Sequence, residues 1–379
     1  MVTPGRIQTV NTASKAILIT GAGGYLGSRL AAHYLEAARQ PVILWLHAGN
    51  SDELEQKAQA LRETLGPMAE GAQVRGGDLC APRPFADIDP SEVGDIVHCA
   101  AVTRFNVEEA LARSVNVDGA VKLYEFASRC EKLDRLALAS SIYACGLRDG
   151  MVSEVALADK PEFSNYYEWS KWESERRLQE DFNSLPWMVL RIATIIAETA
   201  RGQIYQYNAF HNTLKLLFYG LISLVPGDRE TPLYFVTADF AVDAVAAVLE
   251  QGEREGIYHI CHTHEESMTL GGLIDTAFER FSLDADFRER RILKPLFCDD
   301  ATFRLLAEGI DSFGGEVVRE GLGSIVPFAA QLFSHKLFDN RRLKETMHVY
   351  AAPNAEELVS NACDYLATTR WGRRLDNAA

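Results

Sequence analysis

The sequence predicts an α/β fold, a doubly wound parallel sheet followed by a smaller, mainly helical C-terminal part. Three observations predict it. Short apolar segments alternate with helix-like segments from residue 16 onward, a glycine-rich loop follows the first of them, and the alternation ends near residue 193. Apolar segments of this length are typical of strands in a sheet that helices cover on both faces.

Each element is recognised by its length and its hydrophobic pattern. The short apolar strands are predicted at Ala16–Thr20, Val42–Leu46, Gln73–Arg75, Asp95–His98, Leu136–Ala139, Trp187–Ile192 and Gly256–Cys261. The longer helices are predicted at residues 25–38, 52–65, 107–130, 164–182 and 242–249, and residues 269–379 read as mostly helical. We therefore expect a polar tail over 1–15, a sheet domain over 16–192 to which 235–262 returns, and a second part formed by 193–234 and 263–379.

Composition and charge exclude several classes of protein. The 379-residue chain has a net charge of −15, which argues against a nucleic-acid partner because phosphate binding requires a basic face. Its seven cysteines are scattered and never spaced C-x-x-C, so they predict neither disulfides nor a zinc site and indicate a reducing cytoplasm. No membrane span is expected, because the longest apolar stretch, residues 214–226, is short and is interrupted by Lys215.

A glycine loop lies between the first predicted strand and the first predicted helix. Its glycines, Gly21, Gly24 and Gly27, recur every three residues, and Tyr25 and Leu26 open the helix. Glycines at such a turn let the backbone approach a pyrophosphate, and amide groups at the helix N-terminus bind the phosphates. The loop therefore predicts a Rossmann-type dinucleotide site that includes these five residues.

The end of the second predicted strand bears on the choice of cofactor. Proteins that bind NAD place a carboxylate there for the ribose 2′-hydroxyl, and this chain has none before Asp52. We expect His47, Asn50 and Ser51 to receive a 2′-phosphate instead, which favours NADP (NADPH) over NAD. A solvent-facing His47 at a strand end is the competing interpretation.

Later strand ends supply further candidates for the dinucleotide site. Asp78 and Leu79 follow the third strand, where they would flank the adenine. Ala100 and Ala101 follow the fourth, where small residues let a ribose lie close to the backbone. Ligands of such folds bind at this carboxyl edge of the sheet, although ordinary packing at a strand end would also place these residue types there.

Four residues have the types and order of a site that reduces a carbonyl group. Tyr167 and Lys171 lie on the same face of a predicted helix, and Ser141 ends the preceding strand. A phenol can protonate an oxygen that gains negative charge, a nearby ammonium lowers the phenol pKa, and Ser141 can orient the substrate oxygen. Lys171 can also hold the nicotinamide ribose, and Asn116 can continue a proton path to solvent. A lone Tyr-x-x-x-Lys occurs by chance on many helices, but chance is the poorer explanation for the serine, tyrosine and lysine together in this order after a glycine loop.

These motifs resemble those of a known family. The matching segments are similar to the extended short-chain dehydrogenases/reductases: Thr20–Gly27, His98–Ala101, Asn116–Gly119, Ser140-Ser141 with Gly146, Tyr167-x-x-x-Lys171 and Leu190-Arg191. Residues 97–130 and 165–175 look most like the thioester reductase and fatty acyl reductase branch. The resemblance implies NADPH-dependent reduction of an acyl thioester, carried by coenzyme A or an acyl carrier protein, to an aldehyde or alcohol. Members of that branch usually carry arginine where this chain has His47.

Other functions stay open at this point. An enzyme of the extended family could act on a nucleotide sugar, as an epimerase or dehydratase, or on a hydroxysteroid, although residues 200–227 offer only Arg201 for a diphosphate. A regulator that binds dinucleotide without catalysis would often lose the Tyr167–Lys171 pair. Because no carrier domain precedes residue 16, we expect an acyl group to arrive in trans.

Three further groups of residues have alternative interpretations. Residues 204–226 and 322–338 are apolar, and we expect them to line an acyl pocket, although core packing or a homodimer interface would give the same pattern. The basic clusters at 288–294 and 341–344 are expected to be solvated and ion-paired, with docking of an anionic carrier as the alternative. Residues 259–266 contain metal-ligand types, but no second cluster completes a site, so we expect a solvated polar loop and no metal.

Overall fold

The computed structural model describes residues 15–313 and 325–372, which form an α/β fold. The strands are β1 (Ala16–Thr20), β2 (Val42–His47), β3 (Ala72–Gly77), β4 (Val93–His98), β5 (Arg135–Ser141), β6 (Gly150–Val152), β7 (Trp187–Ile192), β8 (Thr194–Ala197), β9 (Leu224–Pro226), β10 (Pro232–Leu233), β11 (Phe235–Thr237), β12 (Gly256–Ile260), β13 (Met268–Thr269), β14 (Leu296–Cys298) and β15 (Lys336–Phe338).

Helices occupy the segments between these strands. They are α1 (Tyr25–Ala37), α2 (Ser51–Leu65), α3 (Glu109–Leu111), α4 (Gly119–Ala127), α5 (Tyr166–Asp181), α6 (Ala209–Phe218), α7 (Ala238–Gln251), α8 (Leu270–Phe281), α9 (Ala285–Glu289), α10 (Asp300–Phe313) and two later helices at Arg341–Thr346 and Ala355–Thr368. Short 3₁₀ turns lie at Gly66–Gly71, Pro90–Glu92, Ile142–Cys145 and Val326–Phe333.

The central sheet has seven strands in the order β12-β7-β5-β4-β1-β2-β3. Strand β1 pairs in parallel with β2 and β4, so the carboxyl ends of these strands lie at one edge. The order runs outward from β1 in both directions, which is the doubly wound arrangement that the sequence predicts. The predicted strands Ala16–Thr20 and Trp187–Ile192 match residue for residue, and the other five begin or end within two residues of the predicted bounds.

The predicted helix over residues 107–130 is wrong as one continuous element. Helix α3 covers only Glu109–Leu111, a π-helical segment follows at Ala112–Asp118, and α4 begins at Gly119. A π-helix shifts the hydrogen bonds from i−4 to i−5, which rotates the side chains that it carries relative to a regular helix. Asn116 lies in this π-helical segment and is buried.

The chain divides into two compact units that interleave along the sequence. One comprises residues 1–101, 113–139 and 174–189, and the other comprises 102–112, 140–173 and 190–379. The sequence instead suggested one break near residue 193 with a return at 235–262. The first unit contains the glycine loop, and the second contains Ser141, Tyr167 and Lys171.

Within the apolar segment 204–226, Tyr207, Phe210, Leu214, Leu217 and Phe218 recur every three or four residues and form an apolar stripe, most of which packs in a hydrophobic core. Four of its members, Phe210, Leu214, Leu217 and Phe218, are at most 9% exposed, and they belong to a cluster that includes residues of α8 and of Ala355–Thr368. Tyr207 is 40% exposed. The prediction that this stripe lines a pocket is therefore wrong, because its side chains are covered by the protein itself.

The second predicted pocket segment, residues 322–338, is described only from residue 325 onward. Within that part, Ile325, Ala329 and Leu332 join the same core. Among the described residues, no helix is long and apolar enough to cross a membrane.

Candidate active site

The glycine loop brings backbone atoms into contacts that no side chain would permit. Gly21 has φ +69°, and a Cβ atom there would lie 2.7 Å from the amide nitrogen of Ala100. A Cβ atom at Gly27 would lie 2.2 Å from the carbonyl oxygen of Gly21. The amide of Gly24 donates to that same carbonyl, at 2.9 Å, which closes the turn. These contacts explain why positions 21 and 27 require glycine.

Helix α1 begins directly after this turn, and its N-terminus has the features of a phosphate site. Gly24 is the residue before the helix and has no side chain to cap it, so the N-terminal amides and the helix dipole are available to an anion. Tyr25, Leu26 and Gly27 form its first turn. The residues of the loop therefore fit the pyrophosphate of a dinucleotide.

Arg29 adds a cation close to the glycine loop, and the sequence analysis missed it. Its guanidinium carbon lies 3.7 Å from the centre of the Tyr25 ring, and Nη1 donates to the Tyr25 carbonyl at 2.9 Å. This cation–π contact holds the guanidinium against the first turn of α1. The signal was present in the sequence, because Arg29 follows Tyr25 at a spacing of four on a predicted helix.

The end of β2 carries the residues that were expected to bind a 2′-phosphate. The side chain of His47 is 63% exposed, and its Nδ1 lies 3.9 Å from Asp78 Oδ1 at the end of β3. Asn50 is the N-cap of α2, with Oδ1 accepting from the Glu53 amide at 2.9 Å, and Ser51 is the first helical residue. The three residues lie near the start of α2, where a 2′-phosphate was expected to bind. The phosphate site itself stays a prediction.

Glu53 places a carboxylate in this region, although the end of β2 itself contains no acidic residue. Its Oε2 accepts from the Gly49 amide at 2.8 Å, and its Oε1 accepts from Lys57 Nζ at 2.6 Å. Lys57 Nζ also donates to the His47 carbonyl at 2.9 Å. Glu53 belongs to the first turn of α2, but its carboxylate reaches back to the loop that precedes the helix. Its place in the sequence, beyond the strand end, therefore did not indicate this contact.

The other strand-end candidates are explained in part by packing. Leu79 is 3% exposed, and a Cβ atom on Gly119 of α4 would lie 2.9 Å from Leu79 Cβ. Asp78 Oδ1 accepts from the Cys80 amide at 2.8 Å. Ala100 lies against Gly21, and its amide donates to Thr20 Oγ1 at 3.3 Å. Ala100 and Ala101 are half-buried beside the glycine loop.

Ser141 and Tyr167 are brought together within the second unit. Ser141 ends β5, Tyr167 lies in the first turn of α5, and their side chains are hydrogen-bonded. Both are buried, at 5% and 8% exposure, and Lys171 one turn further along α5 is 6% exposed. Tyr166, the alternative phenol, is 46% exposed. The structure therefore distinguishes the two tyrosines as the sequence spacing did.

The pKa of Tyr167 is shifted in the direction opposite to the sequence-based expectation. Burial raises it to about 12, the hydrogen bond with Ser141 opposes this rise, and the carboxylate of Glu168 adds to it. The expectation of a lowered phenol pKa is therefore wrong for this structure, because desolvation of the phenolate outweighs its stabilisation. At neutral pH the phenol is protonated and is suited to donate its proton.

Tyr167 packs at the edge of a cluster of aromatic rings. The ring of Phe105 is edge-on to it with centroids 5.6 Å apart, and Phe105 stacks on Phe328 at 5.0 Å. Tyr143 lies edge-on to both Phe105 and Phe328, and its hydroxyl is 2.9 Å from Thr194 Oγ1. The Tyr167 ring is therefore buried against this cluster, and an interaction with a developing charge is stronger at a buried site than in water.

Comparison with known proteins identifies the family. The family described as Male sterility protein, a family of NAD-binding domains, matches residues 19–245, more than half of the chain. The chain belongs to this family. Its fold is that of the extended short-chain dehydrogenases/reductases, and it is an NAD(P)-dependent oxidoreductase of that type, as the motifs predicted.

Relatives and a solved structure are similar at low identity. Fatty acyl-CoA reductase 1 of Arabidopsis thaliana is 22% identical over 349 residues, which cover 71% of this chain and 71% of that protein. The hybrid PKS-NRPS synthetase traA of Penicillium crustosum is 25% identical over 269 residues, 67% of this chain. The chain spans only 7% of the length of that synthetase. The terminal R domain from the myxalamid PKS-NRPS pathway superimposes with a TM-score of 0.76 and 16% identity, over 95% of this chain and 92% of that domain.

The structure also describes the polar segment 259–266 and the two basic clusters. His259 and His262 are buried, with burial lowering their pKa values to about 3 and 4, so the expected solvated loop is wrong for them. Within residues 15–313 and 325–372, no group of three or more metal-ligand side chains could hold an ion. Each basic cluster contains an ion-paired lysine: Lys294 pairs with Asp275, and Lys344 with Glu266.

Proposed function

We propose that the protein is an NADPH-dependent reductase of an acyl thioester, with the acyl group carried by coenzyme A or by an acyl carrier protein. The observation that supports this most is the match to the male sterility protein family together with the buried Ser141–Tyr167 pair. A fatty acyl-CoA reductase and the R domain of a PKS-NRPS pathway are similar to most of the chain. The first of these is a reductase of fatty acyl-CoA.

The reaction that we propose uses the side chains in distinct roles. When bound, NADPH supplies the hydride that reduces the thioester carbonyl carbon. Ser141 donates a hydrogen bond to the carbonyl oxygen, and Tyr167 donates the proton that this oxygen takes up. The hemithioacetal then separates into an aldehyde and the thiol of the carrier. A second turn of the same chemistry would give the alcohol.

The acid–base state of Tyr167 supports reduction as the favoured direction. A phenol with a pKa of about 12 is protonated at neutral pH and donates a proton without prior ionisation. Oxidation of an alcohol would require the phenolate, which burial disfavours. Lys171 remains the proposed contact to the nicotinamide ribose, and Asn116 the proposed continuation of the proton path.

The cofactor preference belongs to the same proposal. Arg29 supplies a cation beside the glycine loop, and His47, Asn50 and Ser51 surround the start of α2. These groups support NADPH. The carboxylate of Glu53 at the Gly49 amide opposes an additional phosphate, because like charges repel at this distance.

A substrate screen tests the function. NADPH consumption is measured with acyl-CoAs of increasing length, acyl groups on a carrier protein, free aldehydes and nucleotide sugars. The proposal expects turnover with thioesters and release of one thiol per aldehyde formed, which a thiol reagent quantifies. Turnover confined to nucleotide sugars, or NADPH oxidation without thiol release, would contradict it.

A further inference from the structure

Glu168, the residue after Tyr167, is a buried carboxylate with an unusual number of partners. It has no exposed surface, and its oxygens accept from the Ser164 amide at 2.9 Å and from Asn165 Nδ2 at 3.0 Å. A third bond comes from Gln331 Nε2, at 2.8 Å, on a distant part of the chain. Burial raises the pKa of Glu168 to about 7, and these donors oppose the rise.

The contact with Gln331 continues to a second buried charge. Gln331 Oε1 accepts from Lys336 Nζ, which also donates to the Gly146 carbonyl at 2.8 Å. Gln331 and Lys336 are 4% and 6% exposed. A neutral amide thus links a carboxylate beside Tyr167 to an ammonium on β15, through hydrogen bonds that water does not reach.

The segment that carries Gln331 also packs against two neighbours of Tyr167, Asn165 and Phe105. Asn165 Nδ2 donates to the Pro327 carbonyl at 2.9 Å, in the same 3₁₀ turn. The next residue, Phe328, stacks on Phe105, which lies edge-on to Tyr167. The turn Val326–Phe333 is therefore attached to the start of α5 by polar contacts, and its Phe328 supports the Phe105 ring that packs on Tyr167.

An ordinary helix cap does not account for this arrangement. The Glu168 amide donates to Asn165 Oδ1 and the Glu168 carboxylate accepts from the Ser164 amide, so these contacts already resemble those of a capping box at the start of α5. Exposed residues perform that role without loss of hydration, whereas burial of a carboxylate is unfavourable unless its partners compensate. The contact with Gln331 adds nothing to the cap, but it fixes one end of α5 against a segment 163 positions away in sequence.

We propose that Glu168 is a positioning residue for Tyr167, acting through its hydrogen bond with Gln331. This inference rests on the proposed catalytic role of Tyr167. The link holds the first turn of α5 and the turn Val326–Phe333 in one arrangement, so that the phenol faces Ser141 beside the aromatic cluster. Because the charge of Glu168 also raises the pKa of Tyr167, it contributes to keeping the proton on the phenol.

Two substitutions distinguish the hydrogen bond between Glu168 and Gln331, called the link, from the contacts of Glu168 with Ser164 and Asn165, called the cap. Gln331→Met removes the link and leaves the bonds of Glu168 to Ser164 and Asn165 in place. Glu168→Gln weakens both. We expect each to lower kcat at least tenfold while the Kd for NADPH changes less than twofold. The double variant is expected to be no slower than the slower single variant, because both act on one link.

The control is Gln203→Met, which removes a comparable bond between Gln203 and Thr199 in the same unit. It should leave kcat unchanged. All variants are assayed below their melting temperatures, which are measured by circular dichroism. If Gln331→Met lowers the melting temperature but leaves kcat within twofold of the control, or if the two losses multiply in the double variant, Glu168 has only a structural role. If Glu168→Gln does not fold, Gln331→Met alone decides.

The same experiment distinguishes this inference from the proposed function. If the enzyme reduces a carbonyl substrate other than a thioester, the variants are tested on that substrate, and the positioning role survives although the substrate class fails. If Tyr167→Phe retains full activity on every accepted substrate, both the catalytic assignment and the positioning role are overturned.

Discussion

The side chains of Ser141 and Tyr167 are hydrogen-bonded, although one ends a strand of the sheet and the other lies in the first turn of α5. Both side chains are buried. The hydrogen bond lowers the pKa of the phenol, whereas burial raises it. In this pair one hydroxyl donates to the other, and the remaining proton can be donated to a substrate oxygen. A substrate oxygen that gains negative charge is stabilised when it accepts this proton and takes the place of one partner of the pair.

Replacement of Tyr167 by Phe tests this pair directly. The variant removes the proton donor and leaves the glycine loop unchanged, so we expect kcat to fall by about 10²–10⁴-fold with the Kd for NADPH unchanged. Stopped assays of product and fluorescence titration of NADPH measure the two quantities. Tyr166→Phe is the matched control, because that neighbouring phenol is 46% exposed and should be dispensable. Equal losses in the two variants would refute the assignment.

Replacement of Gly27 by Ala tests the dinucleotide site. The added Cβ atom would lie 2.2 Å from the Gly21 carbonyl, so the loop must move and NADPH affinity should fall at least tenfold. Gly272→Ala is the control, since a Cβ atom there has no neighbour closer than 3.5 Å and the position is helical. Calorimetric titration with NADPH measures both. Normal affinity in Gly27→Ala would show that the loop does not bind the cofactor.

Local patterns predicted the parts of this molecule that depend on neighbours in sequence. The glycine spacing at Gly21–Gly27 and the i,i+4 spacing of Tyr167 and Lys171 follow from single elements, and both are found where expected. The stacking of Phe105 on Phe328 joins residues far apart in sequence, so no period reveals it. The phenol pKa was misjudged for a related reason, because it depends on how completely the fold buries Tyr167.

Glu53 provides a test of cofactor preference. Its carboxylate accepts a hydrogen bond from the Gly49 amide and forms an ion pair with Lys57. If a 2′-phosphate binds near His47, Glu53→Gln should tighten NADPH about threefold by removing a repulsion, and Lys57→Met should weaken it. NADH affinity should change little in either variant. Glu63→Gln, further along α2, is the control. Tighter binding of NADH than NADPH by the unmodified protein would contradict the NADPH proposal.

The lowered pKa of His211 leads us to expect that the stability of the protein depends on pH. Its Nδ1 accepts from the Asn208 amide and its Nε2 donates to the Ile196 carbonyl, so the ring is neutral. Burial lowers its pKa to about 4 from 6.5. The unfolded chain therefore binds the proton more readily, and the contribution of His211 is present above pH 6.5 and lost as pH falls through 4. It amounts to about 3 kcal/mol.

Urea unfolding of His211→Gln between pH 4 and 7 measures this contribution. The variant should lose less stability than the unmodified protein as the pH falls, since glutamine does not titrate. His264→Gln is the control, because His264 is exposed. Parallel stability curves for the His211 variant and the unmodified protein would rule out this role.

Leu217 distinguishes the core from the acyl pocket. It is 1% exposed within the core of the second unit, so Leu217→Ala should lower the free energy of unfolding by about 2–5 kcal/mol. The dependence of kcat/KM on acyl-chain length should keep its shape, because no acyl group is expected to contact this side chain. Leu305→Ala, at a position that is 71% exposed, should change neither quantity. A shifted length dependence without loss of stability would restore the pocket interpretation and place the acyl chain along α6.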